Sequence, residues 1–201
     1  MKKIGKEAFR DCKSLESVDF PNLETIGESV FIVCESLESV DFPNLETIGK
    51  EAFRDCNSLE KVNFSEVTKI GNRAFVLCES LISVDFPKAI TIGEDAFERC
   101  KSLESVDFPE VTTIGTRAFI YCDNLNFVTF PNVETIGSSA FFDCGKLSSF
   151  VGNPNIVSIG NNAFAIKPHL FSNDQFNIEY LGFITEYTGN YYKYFRPYRE
   201  S

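Results

Sequence analysis

The residue type best equipped for chemistry in this chain is cysteine, and its spacing is regular. Cys12, Cys34, Cys56, Cys78, Cys100, Cys122 and Cys144 stand 22 residues apart. Stacked at that step, their Cα atoms would lie about 5 Å apart, inside the span of a disulfide. Their number is odd, however, and no Cys-x-x-Cys or paired His accompanies them to suggest a metal. Each sits on an apolar stripe beside a Phe, where a free thiol behaves as a small hydrophobe. Buried, reduced thiols are the expectation. A single His, His169, leaves no material for a histidine-based metal set or a Ser-His-Asp arrangement. No catalytic, cofactor or metal residue is expected.

Carboxylates form the second pattern. Asp19, Asp41, Asp85 and Asp107 share one repeat position with Asn63 and Thr129, and Glu16, Glu38, Glu60 and Glu104 share another with Ile82 and Asn126. On parallel strands about 4.8 Å apart they would line one face as a negative ribbon. Such a ribbon attracts a basic partner or weakly holds calcium; equally, it can be solvated charge that keeps a sheet soluble. Like charges at that spacing repel, so they are not there for stability. The net charge of −10 argues against binding to nucleic acid or to an anionic membrane. No apolar run approaches the roughly 20 residues that span a bilayer, and the first residues carry no signal peptide.

What positions these residues is a repeat. Gly5 to Gly137 keep the 22-residue step, as do Phe9 to Phe141 and Leu15 to Leu147, and a 23-residue step then reaches Gly160 and Phe164. Self-similarity at this period predicts a solenoid. In one unit, Leu15, Val18 and Phe20 suit a short strand that Pro21 ends, and Leu23 and Ile26 turn inward along an extended second side. Ala96, Phe97, Cys100 and Leu103 carry the stripe of a short helix, so a helical turn is predicted on the third side of each coil. One coil cannot bury its apolar face alone, so the Phe column, with Phe53, Phe75 and Phe97 at its centre, should be core. Gly71 and its equivalents are expected either at positive φ or where a Cβ would strike the next coil.

Two irregularities matter. Arg10-Asp11, Arg54-Asp55 and Glu98-Arg99 alternate with Ile32-Val33, Val76-Leu77 and Ile120-Tyr121, a step of 44. The apolar pairs are either sticky spots or side chains folded over their own coils. After Phe164 the period ends, so residues 1–164 read as a solenoid of about seven units and 165–201 as a C-terminal cap and Tyr-rich tail. The N-terminus has no comparable cap. The chain therefore reads as an excised piece of a longer array, with self-association through that open end as a further expectation.

The unit, Leu-x-x-Val-Asp-Phe-Pro with Ile-Gly-x-x-Ala-Phe-x-x-Cys, resembles the BspA-like leucine-rich repeats over about residues 4–164. It departs from them in using Phe20, Phe42 and Phe86 where Ile is common, and in its mostly 22-residue step. The resemblance implies a right-handed α/β solenoid with parallel strands on one face and short helical turns on the other. It also implies a surface or secreted location, adhesion, and no carried-over catalytic residue. The expected function is a non-enzymatic protein- or glycan-binding module from a cell-surface adhesion or host-interaction protein, with the two carboxylate columns as its partner-binding residues. The alternatives are a structural spacer, or an enzyme with a site around His169, Asp174 and Glu179.

Overall fold

The computed structural model describes residues 1–165, 183–187 and 192–197. Two kinds of short strand alternate along the chain. They begin β1 (Lys3–Ile4), β2 (Ser17–Asp19), β3 (Thr25–Ile26), β4 (Ser39–Asp41), β5 (Thr47–Ile48), β6 (Lys61–Asn63), β7 (Lys69–Ile70) and β8 (Ser83–Asp85). They continue as β9 (Thr91–Ile92), β10 (Ser105–Asp107), β11 (Thr113–Ile114), β12 (Phe127–Phe130), β13 (Thr135–Ile136), β14 (Ser149–Gly152) and β15 (Ser158–Ile159). The odd-numbered strands form one continuous parallel sheet. The even-numbered strands are also parallel but fall into three sheets, β2–β4, β6–β8 and β10–β12–β14. A hairpin of β16 (Phe183–Tyr187) and β17 (Tyr192–Pro197) pairs antiparallel. Otherwise the expected cap after Ala165, and the enzyme alternative at His169, Asp174 and Glu179, lie outside the described residues.

The predicted helical turn is corrected by the structure, because the described residues contain no helix. The third side is a run of tight turns. Ala52 N–H donates to Gly49 O and Cys56 N–H to Phe53 O, while Glu51 and Asp55 sit at φ 56° and 60°. That is the dihedral a type II turn demands at its third residue. Between the turns, alternate N–H groups point along the solenoid: Phe53 N–H donates to Ala74 O at 2.8 Å and Phe75 N–H to Ala96 O at 2.7 Å. An α-helix is about 10 Å across, whereas strands rise about 4.8 Å per coil, so a helix in every coil could not keep pace with the other two sides. Turns can.

The positive-φ positions are filled by Glu51, Arg73, Asp95, Arg117, Val33 and Tyr121 among others, and the glycines of the 22-residue column do not share that conformation. The expectation for Gly71 therefore holds in its second form, close approach between coils. A Cβ there would lie 2.6 Å from Gly49 O.

Inside, two Phe columns fill the core. Phe31, Phe53, Phe75, Phe97 and Phe119 stack at 5.1–5.3 Å between ring centroids, and Phe42, Phe64, Phe86, Phe108 and Phe130 form a looser second stack. All ten are fully buried. The apolar pairs of the 44-residue step are wholly or partly covered, with Val76 and Ile120 buried and Ile32 and Val33 half-buried, and Tyr121 packs against Phe142 and Arg99 of the neighbouring coils.

The cysteines complete this core. All seven are free thiols, six of them buried, while Cys12 in the first coil is exposed. Each buried Sγ–H donates to the carbonyl of the Phe 25 residues earlier, as Cys78 does to Phe53 O at 3.0 Å. Cysteine thus supplies both a small apolar filler and a weak donor. Burial pushes the Cys34 thiol from about 9 up to about 11, and pushes Cys56, Cys78, Cys100 and Cys122 further in the same direction. The folded pKa exceeds the unfolded one, so this contribution is intact below about pH 9 and is lost as pH rises through 11. Urea midpoints should therefore fall between pH 9 and 11 and stay flat on this account below 9. A thiol reagent should modify Cys12 at once in native protein and all seven cysteines in denaturant. Fewer than seven in denaturant would overturn the assignment.

Candidate functional site

The strand segments build one face of the solenoid. At period two, Val18, Val40, Val62, Val84 and Val106 turn inward and the residues on either side turn outward. The outward residues include Asp19, Asp41, Asp85 and Asp107, all exposed. Asp19 pairs in register with Asp41, Asn63 with Asp85, and Asp107 with Thr129. Glu16, Glu38, Glu60 and Glu104 lie one residue before these strands and are also exposed. The four Asp are outward on the strands, though not in one unbroken ladder, because β4 is not ladder-paired with β6, nor β8 with β10, while the four Glu are exposed just before the strands at the parity of the valines.

On the other sides some charges are matched between coils. Lys2 meets Glu24 at 2.6 Å, Lys13 meets Glu35 at 2.6 Å, Lys88 meets Glu66 at 2.6 Å and Lys101 meets Glu79 at 2.7 Å, each pair 22 residues apart. The eight exposed carboxylates in and just before the strands have no such partner among the described residues. The only cation in these strand segments is Lys61. Beyond Asp107 the face changes character: Phe127 is 54% exposed and Val151 45%, at positions where earlier coils carry Ser and Asp. Among the described residues no three His, Cys, Asp or Glu converge to hold a metal ion.

Two features escaped the reading of the sequence. One is a buried charge on the turn side, where Asp95 is 1% exposed. Arg117 reaches it at 2.7 Å and Arg73 at 3.3 Å, and Arg73 also approaches Glu51 at 3.6 Å. Burial would push the Asp95 carboxyl up, and the hydrogen bonds from Arg117 and Arg73 more than offset it, leaving it below the ordinary carboxylate value. The sign alternation of Glu51, Arg73, Asp95 and Arg117 at step 22 was the available signal. It ties four coils in register. The other is a groove of about 570 Å³ in the strand face, centred on β6.

Comparisons place this architecture. Residues 1–100 and 90–182 match the BspA type leucine rich repeat region, in six copies. A leucine rich cell surface protein of Faecalibacterium prausnitzii A2-165 is 28% identical, with a TM-score of 0.61 over 82% of this chain and 55% of that one. The T. pallidum leucine rich repeat protein is also 28% identical, with a TM-score of 0.57 over 80% of this chain and 67% of that one. The chain thus spans about half the length of the first of these relatives. No curated protein matches it. A parallel solenoid of repeated 22-residue coils, carrying the Phe, Gly and Cys columns of that repeat, belongs to the BspA-type leucine-rich repeat family.

Proposed function

We propose that this chain is a non-enzymatic binding module whose acidic strand face recruits a basic protein or glycan partner at a cell surface. The observation that carries the reading is the contrast in charge pairing. Elsewhere four Lys–Glu pairs join successive coils, while none of the eight exposed carboxylates in and just before the strands has an ion-pair partner among the described residues. Stacked like charges cost stability, so their retention on one face favours a role outside the fold. The description of the Faecalibacterium relative as a cell surface protein supports the location. A repeated, chemically uniform surface suits extended contact better than catalysis, which needs convergent groups in one pocket.

The test is kinetic. Exchanging Asp19, Asp41, Asp85 and Asp107 for Asn should slow association with a basic probe protein such as lysozyme by about tenfold or more at low salt, while circular dichroism stays unchanged. Salt should remove the difference, because the Debye length shrinks from about 10 Å at 0.1 M to about 3 Å at 1 M. An association rate indifferent to both salt and the four substitutions would sink the proposal.

A further inference from the structure

Between Leu59 and Val67 the repeat changes at three outward positions together. Lys61 stands where β2, β4, β8 and β10 begin with Ser, Asn63 where they end with Asp, and Ser65 where Pro21, Pro43, Pro87 and Pro109 close the other units. In a repeat protein, contacts that select a ligand must break the period, because whatever every coil shares cannot single out one place. These three residues line the same groove, beside the junction where β4 and β6 are not ladder-paired. Its apolar lining is Pro43 with the half-buried Val40 and Val84, whose side chains lie on the inward-turning side of their strands. Asp41 and Asp85 stand on its walls, and neither they nor Lys61 and Asn63 spend a side-chain hydrogen bond or ion pair on another described residue.

We propose that this groove holds an extended peptide segment presenting a basic and an acidic side chain two residues apart. The inference rests on the reading that the strand face binds a partner, and it names where and what. Asn63 is level with Asp85 in the ladder, and Lys61 lies two residues back, about 7 Å along the strand. An extended ligand repeats its same-side side chains at that interval. A basic group near Asp41 and Asp85 therefore places the second residue's carboxylate over Lys61. The aliphatic stem of an Arg or Lys would lie along Pro43 while its charged head stays with the carboxylates. Opposite charges within the groove favour a mixed-charge peptide over a purely basic one, and no aromatic ring lines it for a sugar to stack on.

The variant that tests this restores the consensus, K61S/N63D/S65P, and so uses residues every neighbouring coil already tolerates. It removes one positive and adds one negative charge, which gives the two readings opposite signs. The probes are capped five-residue peptides with Arg and Glu at positions two and four, in both orders, and a matched peptide with two Arg. For the better of the mixed-charge orders, affinity should fall by about tenfold in the variant, while the two-Arg peptide binds equally or more tightly. Mixed-charge peptides that fail to bind the natural chain at millimolar concentration, or that bind the variant as well as the natural chain, would overturn the groove. Failure of the wider reading looks different, since the two-Arg peptide would then ignore the loss of Asp19, Asp41, Asp85 and Asp107.

Discussion

Phe75→Ala should destabilise the solenoid by about 3–5 kcal/mol, the cost of deleting a buried aromatic ring whose site does not collapse. Phe75 is fully buried. Its ring stacks on Phe53 at 5.2 Å and on Phe97 at 5.2 Å, nearly parallel to both, and tilts against Phe86 at 6.0 Å. Collapse is prevented because coil height is fixed by the backbone. Phe53 N–H donates to Ala74 O and Phe75 N–H to Ala96 O, so neighbouring coils cannot move closer to fill the hole. Phe9 is the internal contrast. It is half-buried at the end of the column and stacks on a single column neighbour, Phe31, so Phe9→Ala should cost about 1–2 kcal/mol. Urea unfolding measures both. Because each coil contacts only its neighbours, the central deletion should also broaden the transition, as the array splits into two blocks that unfold separately. A loss below about 1 kcal/mol at Phe75 would mean that the column is not the core.

The periodic parts of this architecture were legible because repetition averages out local ambiguity. Phe53, Phe75 and Phe97 recur at a fixed step beside Cys56, Cys78 and Cys100, and only stacked coils bury so many rings at once. The helical turn was misread for a physical reason. Ala96, Phe97, Cys100 and Leu103 fit an i, i+1, i+4, i+7 stripe, but two successive tight turns also point those residues inward. What separates the two is the rise per coil, which belongs to the stack and not to any eight-residue window. The residues that make the turns, Glu51 and Asp55 or Val33 and Leu77, have no common chemistry to reveal their positive φ. On the strand face, the outward columns followed from period two. The groove did not, because three successive coils line it together, from Val40 to Asp85. Asp95 was overlooked because its position holds Glu, Arg or Ser in other coils, and only the flanking Arg73 and Arg117 make a buried carboxylate tenable there.

The glycine column gives the second large effect, through space and not through backbone freedom. At Gly93 a Cβ would lie 2.6 Å from Asn72 N and 2.7 Å from Gly71 C, both of them backbone atoms of the preceding coil. Ordinary carbon contacts need about 3.5 Å or more, so the two coils would have to separate by close to 1 Å. The bond from Gly93 N–H to Ile70 O, at 3.0 Å, holds them together, and Gly115 packs equally tightly on the far side of Gly93. The Asn72 side chain, whose Oδ1 would also lie 2.7 Å away, could move aside, but the Gly71 C and Asn72 N atoms belong to main chain and cannot. Gly93→Ala should therefore cost about 3 kcal/mol, the upper end for forcing a methyl group into a packed interior. Gly5 occupies the same repeat position in the first coil, where a Cβ would meet nothing within 4 Å. Gly5→Ala should leave the urea midpoint within about 0.5 kcal/mol of the natural chain, or raise it slightly by restricting the unfolded state. Because both glycines follow an Ile in the same motif, sequence alone predicts equal effects, and only the packing of successive coils predicts the difference. Equal unfolding midpoints for the two variants would remove close coil approach as the reason for this column.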